Sequence, residues 1–218
     1  MKKISVTIFL VFFALDGYAQ SYSSERKINS TKYPLETPML REDRVIKKDD
    51  LSDEQTKYLW EGTTADRDGY IRVKSSISYI ELLDAFISHP GFKKGESSEI
   101  PQDRKYSPLH LIGMLQEDEF RSSNVYYYGD EKAVFTIWRY KNAGATVTTE
   151  EEFFNQTVDG VPAILALAVS DGMRKALWKL SWWKNGRAFE LYVNDKVDAY
   201  GTPEKTPKII MELADSLL

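Results

Sequence analysis

The sequence predicts an α+β domain, an antiparallel meander sheet of about five to seven strands with helices packed on one of its faces. Three observations predict it. Residues 153–193 place Asp159-Gly160, Asp171-Gly172 and Asn185-Gly186 between runs of apolar alternation, and such dipeptides supply the positive φ that tight hairpin turns need. Near the C-terminus, Ile209, Ile210, Leu213, Ala214 and Leu217 recur at helical spacing as one apolar stripe. The chain also has no cysteine but thirteen tyrosines, ten phenylalanines and five tryptophans. A core must therefore hold it, each buried aromatic removing roughly 150–250 Å² from water.

The turns set a register. A two-residue turn at Asn185-Gly186 pairs Lys184 with Arg187, Trp182 with Phe189, Leu180 with Leu191 and Trp178 with Val193, the apolar pairs sharing one face. The same rule at Asp171-Gly172 opposes Leu167 to Ala176, Leu165 to Trp178 and Ala163 to Leu180. At Asp159-Gly160 it opposes Val158 to Val161, Gln156 to Ala163 and Phe154 to Leu165. Pro162 lacks an amide hydrogen and is expected at a strand start or bulge. Lys179, Ser181, Glu190 and Tyr192 fall on the other face, expected to be solvated.

Taken in order, residues 1–19 have the parts of a secretory signal: basic Lys2 and Lys3, an apolar run from Ile4 to Leu15, and small residues at Gly17 and Ala19 before Gln20. The apolar run is shorter than the ~20 residues of a membrane crossing, and no span is expected after cleavage. Residues 20–50 read as a flexible arm, and residues 51–218 as a single α+β domain. Ser52 caps an expected helix to about residue 61. A second helix is expected from Ser76 or Ser78 to Ser88, on Ile80, Leu83, Phe86 and Ile87, stopped by Pro90-Gly91. Residues 93–105 read as a charged loop. Ser107-Pro108 predicts the start of a short helix through Leu115. Residues 124–128 and 132–140 alternate as strands about Gly129-Asp130, and residues 146–149 as another. After a break at residues 195–202 the closing helix starts at Pro203 or Pro207.

Removing Lys2, Lys3 and Asp16 with the signal leaves 27 basic and 32 acidic side chains, a net of −5. That balance argues against nucleic acid or anionic lipid as partner. Two histidines, His89 and His110, and no cysteine leave little for a nucleophile–base pair or a zinc cage. His89 is expected to cap a helix end. No nucleophile elbow or phosphate-binding glycine loop occurs. Glu150, Glu151 and Glu152 are a run rather than a separated pair. No catalytic residue and no cofactor is expected.

Asp66-Arg67-Asp68-Gly69-Tyr70-Ile71 resembles the middle of an EF-hand calcium loop, with Asp66 and Asp68 as candidate ligands between two expected helices. Thr64 and Ser75 stand where its first carboxylate and its bidentate glutamate belong, which removes most of the charge that holds the ion. Trp183 and the run Tyr126, Tyr127, Tyr128 are the candidate partner-binding residues, since an exposed aromatic can anchor an interface.

Val158-Asp159-Gly160-Val161, Leu180-Ser181-Trp182, Gly186-Arg187-Ala188-Phe189-Glu190-Leu191 and Ala214-Asp215-Ser216-Leu217 together resemble the hairpins and closing helix of bacterial lipoprotein-carrier-like and sigma-factor regulatory envelope proteins. The likeness covers about 65 residues and implies an envelope protein whose sheet packs on a helix and binds lipids or proteins. The expected function is that of an exported, non-enzymatic binding protein, periplasmic or secreted, that recognises an envelope protein partner, an immunity-type protein being one form. The alternatives are a lipid or small-ligand carrier, which requires an apolar cavity, and a carboxylate-only enzyme, which requires two acidic groups across a cleft.

Overall fold

The computed structural model describes residues 7–9, 44–46, 63–65, 69–75, 79–97, 108–170 and 174–218. Its strands are β1 Thr7–Phe9, β2 Arg44–Ile46, β3 Thr63–Ala65, β4 Ile71–Ser75, β5 Phe92–Lys94, β6 Leu109–Gln116, β7 Arg121–Tyr128, β8 Glu131–Trp138, β9 Thr146–Glu150, β10 Gln156–Val158, β11 Val161–Ser170, β12 Lys175–Lys184 and β13 Arg187–Lys196. Two α-helices are described, α1 Tyr79–Ser88 and α2 Pro207–Asp215. A ten-stranded sheet runs β3-β4-β11-β12-β13-β8-β7-β6-β5, with β10 also on β11. It is antiparallel except where β4 pairs parallel to β11. The sheet is larger than five to seven strands because the N-terminal part of the chain and residues 109–116 join it.

The register follows the turns closely. Asn185 and Gly186 take φ of 52° and 74°, the left-handed pair of a type I′ turn. Lys184 pairs with Arg187, Trp182 with Phe189, Leu180 with Leu191 and Trp178 with Val193. Val158 pairs with Val161 and Gln156 with Ala163, and Pro162 is the second residue of β11. The β11–β12 register differs. Leu167 pairs with Trp178, Leu165 with Leu180 and Ala163 with Trp182, two residues from the expected alignment, since β11 ends at Ser170 and β12 starts at Lys175. A shift of two preserves facing, so the apolar face survives it. Phe154 does not oppose Leu165. The Asn155 side chain takes that place, its Oδ1 accepting from Leu165 N at 2.8 Å and its Nδ2 donating to Leu165 O at 2.9 Å.

One face carries Leu165, Leu167, Trp178, Leu180, Trp182, Phe135, Leu191 and Val193, buried with Ile210, Leu213, Ala214 and Leu217 of the α2 segment. That is the cover the apolar stripe predicts. Thr206 precedes the helix in extended conformation and Pro207 occupies its first turn, where a missing N–H is harmless.

The other face is not solvated, contrary to expectation. Lys179, Ser181 and Tyr192 are buried. At one end Leu83 and Phe86 of α1 pack on Val125, Val134, Ala168, Leu177 and Tyr192. At the other end Ala145 and Val147, at the start of β9, pack with Tyr140 and Ala188. The two described helices therefore cover opposite faces rather than one. Alternation alone cannot distinguish a polar residue facing water from one facing a buried partner.

Residues 109–116 form β6, not a helix; Leu109, His110 and Leu111 pair with Tyr128, Tyr127 and Tyr126, and a bulge lies between Leu111 and Gly113. The Ser-Pro start signal is local, whereas seven paired residues of ladder to β7 outweigh it. Phe92–Lys94, overlapping the start of the expected loop, pairs along β6 as an edge strand. Arg44–Ile46, inside the expected arm, pairs parallel with β9, as does Thr7–Phe9 from the expected signal. The expected helix at residues 51–61 lies outside the described residues, as does most of the arm.

Candidate functional site

The middle of the α1 face holds an ionic network contributed by adjacent strands. Lys179 of β12, only 3% exposed, places Nζ 2.8 Å from Glu190 Oε1 of β13. Glu190 Oε2 lies 3.3 Å from Arg121 Nη2 of β7 and accepts a hydrogen bond from the Tyr192 hydroxyl at 3.0 Å. Arg121 Nε is 3.3 Å from Glu117 Oε2, and Ser123 Oγ donates to Glu117 Oε1 at 2.5 Å. Ser123 Oγ and Thr136 Oγ1 are 2.7 Å apart. The Lys179 ammonium also stands 5.3 Å from the Tyr192 ring centroid, a cation–π contact.

Two cations and two carboxylates thus neutralise each other. Burial pushes the Glu190 carboxyl up, but Lys179 and Arg121 outweigh it and hold the group at about 2. Burial, then the Glu190 charge, pushes the Tyr192 phenol well above its ordinary range, so it stays a donor. Arg121 bridges Glu117 and Glu190, and the two carboxylates balance a cation rather than share a proton. Acid–base chemistry by paired carboxylates rests on environments that separate their pKa values around the working pH. A Glu190 held near 2 is a weak base, and the network reads as a polar core that fixes strand register.

The candidate partner residues do not form one patch. Tyr126 is buried on the α2 face, Tyr128 half-buried, and Tyr127 45% exposed. Trp183, half-buried, packs against the Tyr140–Val147–Ala188 cluster and against Ile71, Phe153, Ile164 and Ala166. Phe154 meets its ring edge-on at 6.4 Å. Trp183 pairs with Ala188 near the start of β13, while Lys132, the partner of Tyr127, lies by the opposite end of β8. The two sit at opposite ends of the sheet.

Asp66 and Asp68 lie outside the described residues. Thr63 pairs with Val73 and Ala65 with Ile71, so this stretch joins two antiparallel strands instead of the two helices an EF-hand needs. Among the described residues no group of three or more His, Cys, Asp or Glu is placed to hold a metal ion. His89 Nδ1 accepts a hydrogen bond from Gly91 N at 3.0 Å, so the ring caps the turn after α1. His110 lies exposed on β6 rather than in a helix.

Sequence reasoning missed Tyr200. It is 94% exposed, in the loop after β13. Asp198 two residues before it and Gly201 after it are the signal that could have marked a tight, side-chain-closed turn. Comparison with family models, with characterised proteins and with solved structures finds no match.

Proposed function

We propose that the chain is an exported, non-enzymatic binding protein, periplasmic or secreted, that recognises a protein partner of the cell envelope through its surface. An immunity-type protein that neutralises an exported toxin is one form of this function. The observation that carries the reading is that both faces of the central strands are packed. Trp178, Leu180, Leu165, Ile210 and Leu213 fill the space between sheet and α2. The charges on the opposite face are committed to one another. Among the described residues, the large aromatic side chains left exposed are Tyr127 and Tyr200. The mildly acidic balance of the chain and the signal-like residues 1–19 support an extracytoplasmic protein partner over nucleic acid.

Affinity capture with the mature chain from the envelope fraction of the producing cell tests this. A specific protein should be retained at physiological salt; recovery of lipid and no protein overturns the reading in favour of a carrier.

A further inference from the structure

β1 and β2 lie parallel on opposite edges of β9, which forms the centre of a separate three-stranded sheet. On the β1 edge Thr7 pairs with Thr146, Ile8 with Val147 and Phe9 with Thr148. Export with cleavage before Gln20 removes β1. Among the described residues no other strand pairs that edge. Cleavage therefore takes three residues of ladder from β9 and leaves their backbone groups open to a new partner. β9 itself stays anchored. Val147 is buried with Tyr140, Ala145 and Ala188, and Trp138 and Trp183 pack on the same cluster, while β2 holds the other edge.

An open edge is a template for a further strand, and proteins blunt the edges that must stay free. β5, at one end of the large sheet, is blunted: two of its three residues are the exposed lysines Lys93 and Lys94. The β9 edge is not. Thr146, Val147 and Thr148 are uncharged and β-branched, residue types that favour strand pairing, and no proline interrupts them. β1 shows what the slot takes, an uncharged Thr-Ile-Phe segment in parallel register. We infer that this edge of β9 is where the protein partner docks, adding an extended, uncharged strand of its own in the place β1 leaves. The uncleaved chain fills the slot itself, so export is the step that opens it. The inference rests on the protein-binding and export readings above and names the surface that performs the binding.

The test compares the mature chain from Gln20 with an uncleaved chain carrying Ala19→Arg, which removes the small residue that cleavage requires. Protein recovered on the mature chain from the envelope fraction is titrated against both. The uncleaved chain should bind it at least about tenfold more weakly, since its own strand competes from within the chain. A peptide of residues 5–9, extended with lysines for solubility, is the second probe. It should slow amide exchange at residues 146–148 of the mature chain, displace the partner, and leave the uncleaved chain unchanged. The same peptide carrying Thr7→Pro and Ile8→Pro should be inert, because proline removes a ladder donor whichever residue faces β9. Equal affinity of the mature and uncleaved chains overturns the docking edge and leaves the protein-binding reading standing. So does slow exchange at residues 146–148 in the mature chain alone, which means that another segment of the chain fills the slot. A peptide without effect on exchange or partner binding overturns the strand slot. No protein on the mature chain overturns both the edge and the protein-binding reading.

Discussion

Trp178 Nε1 donates a 2.8 Å hydrogen bond to Asp195 Oδ2, and both residues are buried. The same carboxylate accepts from Lys196 N at 2.8 Å and Lys205 N at 3.0 Å, and pairs with Lys205 Nζ at 3.3 Å. One side chain thus ties the centre of β12 to the segment that leads into α2. Asp195→Ala leaves three donors and an ammonium without their acceptor. It should lower unfolding free energy by about 3–5 kcal/mol in urea titration. Asp195→Asn keeps one carbonyl oxygen and should lose less.

The Lys179–Glu190 pair should behave non-additively. Lys179→Met leaves the half-buried Glu190 carboxylate to Arg121 and the Tyr192 hydroxyl, and Glu190→Leu strands the buried ammonium; each should lose roughly 3 kcal/mol. The double variant removes both charges and should be markedly more stable than the sum of the single losses implies. Additive losses would show that the two groups act independently.

Acid should separate wild type from Glu190→Gln. Glu190 is held at about 2 against an ordinary 4.5, so its folded-state pKa is depressed. Its stabilising contribution is complete above about pH 5 and fades as pH falls toward 2. Wild type should therefore lose about 3 kcal/mol more than Glu190→Gln across that window, by order of magnitude. Parallel curves would remove the network from the account of acid stability.

Trp183 should matter for folding and not for recognition. It packs between two apolar clusters and against Phe154. Trp183→Ala should lower unfolding free energy by roughly 2–3 kcal/mol, less than a fully buried tryptophan. Partner retention, measured well below the new midpoint, should stay the same.

Export should leave a defined end. Intact-mass measurement of the chain recovered from a periplasmic or culture fraction should give a mature form starting at Gln20. A full-length mass in the cytoplasmic fraction would count against the export reading.

The C-terminal half of the fold is legible in the sequence because local chemistry sets it. Asn185-Gly186 and Asp159-Gly160 each specify a turn, and the pairs beyond them follow by counting. The closing helix is legible for the same reason: a proline start and a stripe of period 3.6. What escapes is non-local. Ser107-Pro108 reads as a helix start, yet the strand beyond it is decided by pairing with Tyr126–Tyr128, which no local signal announces. The polar side of β12 and β13 reads as solvated because a lysine gives no sign that Glu190, Arg121 and Glu117 will surround it. Of the candidate aromatics, alternation correctly turns Trp183 away from the α2 face, but only the surrounding structure shows that clusters enclose it. Tyr200 passes unnoticed because an aromatic in a short polar break carries no periodicity.

The parallel pairing of β4 with β11 bears on how this chain acquires its shape. Ile71 must find Ala166, whereas β12 and β13 meet across two turn residues and β7 and β8 likewise. Hairpins of that kind close in microseconds, while joining distant segments waits on a much larger loss of chain freedom. The C-terminal hairpins are thus fitted to assemble first as a template, with β4 docking last along β11. A chain emerging N-terminus first can pair β4 with β3, but the side of β4 that faces β11 waits until the final third has arrived. Refolding should accordingly show β12–β13 amides protected well before those of β4, and late capture of β4 is the step at which premature aggregation would compete.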